Sequence, residues 1–136
     1  MFLKTVQFSH CDVSVTLYEL SALQRMDYLA YLYEETAAFE TQTCDADDDN
    51  KKQLAWLKLR FSLNIWLVAH SLWNADTTQD ITLLIRDTSQ GWGWEALDKA
   101  TEKVLQLSGM LAENDRADDD NDGDEPTKPE TSAEKP

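Results

Sequence analysis

The stretch from Lys51 to Trp73, KKQLAWLKLRFSLNIWLVAHSLW, leaves the chain few ways to fold. Leu54, Leu57, Phe61, Ile65, Val68 and Leu72 recur at steps of three or four, which places them on one face of an α-helix. Trp56, Leu59, Leu63, Trp66, Leu67 and Trp73 cover much of the remaining circumference. A helix apolar on nearly all sides needs neighbours on several of them. It makes a rod of roughly 35 Å, and Asn50 followed by Gln53 is suited to cap its start. Lys58, Arg60, Asn64 and His70 interrupt it, and the run from Phe61 to Trp73 falls well short of the ~20 residues that cross a bilayer. The stretch reads as the central helix of a soluble domain, with a partner protein as a further source of cover.

Charge narrows the partners. The formal net charge is −14. Residues 112–136 hold ten acidic and three basic side chains, a net −7, whereas residues 1–111 hold sixteen and nine, also −7. This balance opposes binding to phosphates, which recruits Lys and Arg, and to anionic membrane surfaces. It favours basic partners. Cys11 and Cys44 are too few for a disulfide framework and form no metal-binding pattern, so free thiols in a reducing cytoplasm are expected. The opening MFLKTVQFSH lacks the charged and apolar regions of a secretion signal.

In chain order, residues 2–8 and 13–18 alternate as two strands around a polar break, Ser9 to Asp12, and predict a β-hairpin. Ser21 and Gln24 have the spacing of a capping box. A helix then runs to about Thr41, with Leu23, Met26, Leu29 or Ala30, Tyr33 and Ala37 as its expected buried stripe, widened by Tyr28, Tyr31, Leu32 and Phe39. The aspartates between Thr43 and Asn50 lack the Gly and closing Glu of a calcium loop and read as a solvated connection. Ile81, Leu84 and Ile85 predict a short helix over about 79–89. Gly91-Trp92-Gly93-Trp94 is a turn, read as a staple between helices in preference to a ligand platform. A last helix spans Trp94 to Met110, with termination signalled by Ser108-Gly109. Residues 112–136 hold all three prolines and no aliphatic side chain larger than Ala, a composition expected to be disordered. The expected fold is mainly α: an N-terminal β-hairpin packed on a small bundle of three to four helices over residues 1–111, then a disordered acidic tail or linker over 112–136.

Catalytic patterns are missing. The chain has no phosphate loop, HExxH, GxSxG or plausible triad. His10 falls in the expected turn, His70 has no carboxylate at i±3 or i±4, and the adjacent Glu34 and Glu35 diverge on a helix. No enzyme, cofactor or metal site is expected, and the pattern alone describes an acidic interaction protein.

Several blocks nevertheless carry a resemblance. Met1-Phe2-Leu3-Lys4-Thr5, Val15-Thr16-Leu17, Glu19 through Arg25, Ser71-Leu72-Trp73, Trp92 with Glu95-Ala96, and Leu107-Ser108-Gly109-Met110 follow one another in the order and spacing of the minor tail protein G family of lambda-type phages. The chain resembles that family over roughly residues 1–111, and departs from it at Cys11-Asp12, where the family turn has Asn-Gly, and between Tyr31 and Lys58.

The resemblance implies a tail assembly chaperone of a long-tailed phage. Such a protein binds the tape measure protein, keeps it soluble in the host cell cytoplasm, promotes tail tube assembly and is absent from the mature virion. It also implies a longer form made by −1 ribosomal frameshifting, which recruits the major tail protein. Tyr28, Tyr31 and Trp94 are the candidate partner-binding residues, and the apolar central helix permits self-association. The competing readings are a structural minor tail protein retained in the virion and an acidic DNA mimic. The second is opposed by the placement of the densest acid in the tail.

Overall fold

The structure, a computed structural model, describes residues 2–44 and 48–111. Two strands, β1 (Thr5–His10) and β2 (Val13–Tyr18), precede four helices: α1 (Ala22–Thr43), α2 (Asp49–Trp73), α3 (Ile81–Gly91) and α4 (Trp94–Leu107). The expected mainly helical architecture with an N-terminal hairpin is present. The acidic tail lies outside the described residues, as do Asp45 and Asp47 of the aspartate run.

The strands pair antiparallel with Phe8 opposite Val15 and His10 opposite Val13. Cys11 and Asp12 form the two-residue connection with φ of 50° and 68°. Two positive φ values belong to the primed turn whose twist matches that of the flanking strands. His10 is therefore the last residue of β1 rather than part of the turn, and Phe2 to Lys4 precede the strand. Phe8 and Leu17 face inward, while Gln7 bonds Thr16 at 2.7 Å and Ser9 bonds Ser14 at 2.6 Å outside.

Helix starts follow local chemistry. The Ser21 hydroxyl accepts the Gln24 N–H at 3.1 Å, and the Gln24 side chain accepts the Ser21 N–H at 2.9 Å, completing the capping box. At α2 the cap is Asp48, which accepts the Asn50 N–H at 2.9 Å, in place of the expected Asn50. An extended aspartate here supplies both the acceptor and a negative charge at the positive end of the helix. Asp80 caps α3, which begins two residues later than expected. After α4, Gly109 takes φ 69° and the Met110 N–H returns to the Leu105 carbonyl at 2.9 Å, closing the helix at Leu107.

Helix α2 is the hub: it packs on α1, α3, α4 and β2, and α4 also meets both strands. The core joins Phe8, Leu17 and Leu20 to Ile65, Leu67 and Val68 of α2 and to Leu97, Ala100 and Val104 of α4. Among the described residues α1 packs on α2 alone.

The link from β2 to α1 is tied down by polar side chains from the far end of the chain. Ser71 accepts the Tyr18 N–H and donates to the Tyr18 carbonyl, both at 2.7 Å. Asn74 donates to the Glu19 carbonyl at 3.2 Å, and Ser108 accepts the Leu20 N–H at 2.9 Å. Asn74 and Gln24 also pair amide to amide, at 2.8 and 3.0 Å, in a buried setting. Glu19, Leu20, Ser21 and Gln24, Ser71, and Ser108, which lie in three blocks of the family resemblance, meet at this one place.

Two sequence expectations fail on the helices. The stripe expected to be buried on α1 faces solvent: Leu23 is 71% exposed, Met26 65%, Leu29 45% and Tyr33 77%, and Ala30 and Ala37 are exposed too. The covered face carries the expected flank of the stripe, Tyr28, Tyr31, Leu32 and Phe39, together with Gln24. On α2, Leu54 and Leu57 are exposed because α3 and α4 cover the stripe only from Phe61 onward.

Candidate partner-binding surface

Among the described residues, two apolar surfaces on the helices remain open. The first is the outer face of α1. Leu23, Met26, Leu29, Ala30, Tyr33 and Ala37 lie opposite the residues that contact α2, so one helix carries an apolar stripe on each side. The exposed acids Asp27 and Glu34 border the stripe on one side, and Glu40 ends it one step after Ala37.

The second surface continues the core stripe of α2 past its cover. Leu57 and Leu54 stand one and two turns before Phe61 on the same face. Phe61 stacks on Trp94 of α4 with ring centroids 6.1 Å apart, and Trp94 remains 46% exposed. Beside it, Asp98 accepts from Asn64 at 2.9 Å and pairs with Arg60 at 3.3 Å, fixing α4 against α2.

The candidate residues thus separate. Trp94 lies on an open surface. Tyr28 is buried, with its ring 5.5 Å from Trp66, and Tyr31 is half-buried and stacks on Trp66 at 6.0 Å. Burial raises the Tyr28 phenol above its ordinary pKa. Sequence reasoning missed Leu54, Leu57 and the outer stripe of α1 as surface residues. Their only signal was that α1 carries more apolar residues than one face can bury.

Trp66 also stacks on His70 at 3.6 Å, and the His70 Nδ1–H donates to the Trp66 carbonyl at 2.8 Å. Burial holds the His70 pKa below its ordinary value, opposed by that hydrogen bond and by Asp27. The unfolded chain takes up the proton more readily, so the contribution is fully present above about pH 6.5 and is lost as pH falls below it. Urea unfolding across this range is expected to show stability falling with acid. His70→Gln is expected to flatten the slope, and an unchanged slope would place the titration elsewhere.

The Gly-Trp-Gly-Trp turn acts as a staple on both sides: Trp92 stacks on Phe8 at 6.0 Å while Trp94 stacks on Phe61. An apolar groove of about 220 Å³ between the hairpin and this turn is lined by Phe8, His10, Val15 and Trp92. At its rim Glu95 lies 3.1 Å from Lys99 and 4.0 Å from His10, and the Lys99 hydrogen bond lowers the Glu95 pKa. Among the described residues no cluster of His, Cys, Asp or Glu is placed to hold a metal ion, and no helix is long and apolar enough to cross a membrane.

Comparison with known proteins gives a consistent picture. The family model of the bacteriophage lambda tail assembly chaperone, protein G, matches residues 1–126. Tail assembly protein G of Escherichia phage lambda is 34% identical over 118 residues, covering 81% of this chain and 79% of the relative. Tail assembly protein G of Escherichia phage N15 is 31% identical over 147 residues, covering all of this chain and 97% of the relative. Tail assembly protein GT of lambda is 34% identical over the same length, with 39% of that longer protein covered. No solved structure matches the chain. On the match of the family model and of both G proteins, the chain belongs to the bacteriophage lambda tail assembly chaperone family, protein G.

Proposed function

We propose that this chain chaperones the tape measure protein of a long-tailed phage: it keeps that chain soluble in the host cytoplasm, promotes tail tube assembly and leaves before the virion is complete. The observation that carries the reading is the pair of uncovered apolar surfaces, on α1 and on Leu54, Leu57 and Trp94. A folded domain gains nothing by leaving such surfaces open unless a partner covers them. A long helical client with repeated apolar stretches would supply that cover, and several copies along one client would add their affinities through avidity.

Trp94 contacts the client directly in this reading, Tyr31 at the margin, and Tyr28 indirectly by supporting Trp66. The longer GT relatives support a −1 frameshift product whose added domain recruits the major tail protein. Residues 112–136 then serve as the linker. No catalytic step belongs to this role.

Co-expression with the tape measure protein, followed by size-exclusion chromatography of the soluble fraction, tests it. Co-elution of the two, with the tape measure protein insoluble alone, is the expected result. A tape measure protein that stays insoluble beside both the short and the long form would sink the reading. Mass spectrometry of purified virions is expected to lack this chain, and finding it at stoichiometric amounts would favour a retained minor tail protein.

A further inference from the structure

The outer stripe of α1 has a finer pattern than general apolarity. Leu23, Met26, Ala30, Tyr33 and Ala37 follow one another at steps of three, four, three and four. That is the repeat of a coiled-coil seam, in which alternate positions of each heptad insert into a second helix. All five residues are exposed. The small Ala30 and Ala37 alternate with the larger Met26 and Tyr33, which leaves room for a partner's large side chains above the alanines.

The borders of the seam decide the partner's charge. Asp27 and Glu34 each follow a large seam residue by one position and line one border, the other border (Ala22, Leu29 and Thr36) is uncharged, and Glu40 takes the next seam position after Ala37. Helix α1 as a whole carries four acidic side chains and one basic, Arg25. A second copy of the chain fits poorly. Antiparallel pairing sets Asp27 and Glu34 against their own copies, and parallel pairing faces them with Ala22, Leu29 and Thr36, which carry no charge.

We propose that the outer face of α1 docks an amphipathic helix of heptad spacing that carries Lys or Arg along the border of its apolar seam that faces Asp27 and Glu34. The proposal rests on the reading of the client as a helical chain and names the face and chemistry by which it is held.

The test uses the full chain and a labelled four-heptad peptide with Leu at the seam and Lys at the borders. Two controls accompany it: the same composition in scrambled order, and a peptide with Glu at the borders. Fluorescence anisotropy at near-physiological salt is expected to show the Lys-bordered peptide binding about ten-fold or more tighter than the scrambled one. Met26→Glu with Tyr33→Glu is expected to remove that difference. These positions face solvent, and an unchanged circular dichroism spectrum and melting temperature would establish that the variant still folds. Asp27→Lys with Glu34→Lys is expected to shift the preference to the Glu-bordered peptide.

Equal binding of the scrambled peptide would assign the attraction to bulk charge and overturn the proposal. So would unchanged binding by the Met26→Glu, Tyr33→Glu variant. So would a concentration-dependent dimer that this variant abolishes, which would make a second copy the occupant. A chain that solubilises the tape measure protein but fails the peptide test keeps its chaperone role and loses this face. A chain that passes the peptide test but leaves the tape measure protein insoluble keeps the face and loses that client.

Discussion

Trp66→Ala is expected to cost about 3 kcal/mol of stability and to release α1 before the rest of the fold. The Trp66 ring is a surface on which α1 sits: Tyr31 stacks on it and Tyr28 packs tilted against it, while His70 of α2 itself stacks on it as well. Because among the described residues α1 packs on α2 alone, no second described helix or strand holds it when that ring is removed. Large-to-small changes forfeit the transfer term and leave a void that neighbours fill only in part. Trp66 is half-buried, which keeps the figure at the low end for a tryptophan. Hydrogen exchange separates local from global loss. Amides of α1 are expected to lose protection strongly while those of α4 change little. Uniform loss across both helices would mean that α1 is integral to the cooperative unit. Trp94→Ala is the matched control, expected to cost less than Trp66→Ala because about half of Trp94 is exposed and Phe61 is its stacking partner.

Asn74→Ala is expected to cost about 2–3 kcal/mol, with the melting temperature falling by roughly 10 °C or more. The amide of Asn74 bonds the Glu19 carbonyl and both ends of the Gln24 amide, and both side chains are buried. Its removal strands the buried Gln24 Nε2, while Oε1 keeps the Ser21 N–H, and an unsatisfied buried group costs more than the bond itself contributed. The double variant with Gln24→Ala is expected to lose less than the sum of the single losses, because the same pair is broken only once. Strict additivity in chemical denaturation would show that the two amides are independently solvated.

The hairpin, the four helices and the Ser21 capping box were legible because each rests on local chemistry: alternation, caps and glycine. The side that each helix turns inward was not. Periodicity identifies a stripe, but α1 carries two, and the more regular one, Leu23 to Ala37, is the one left open. Regular spacing on that helix is therefore not a sign of the core. In α2 the stripe is continuous, and only the reach of α3 and α4 decides that Leu54 and Leu57 stay in solvent. Burial of Gln24, Ser71, Asn74 and Ser108 was equally hidden, since each is satisfied by a group far away in sequence. Three of the four stood in the blocks that carried the family resemblance, which marked their importance without giving its cause. Of the three candidate partner-binding residues, which the sequence could not tell apart, Trp94 is exposed and Tyr28 is buried.

The bond from the Leu20 N–H to the Ser108 hydroxyl joins groups 88 residues apart. During synthesis the hairpin and α1 emerge first, yet the side chains that secure the link between them arrive with the ends of α2 and α4. Until α2 has emerged both apolar stripes of α1 are open at once, and the nascent chain is at its most prone to stray association. The domain therefore has an order of vulnerability written along its length. Its earliest-made third is covered when α2 arrives and is tied down at Leu20 only when Ser108 does.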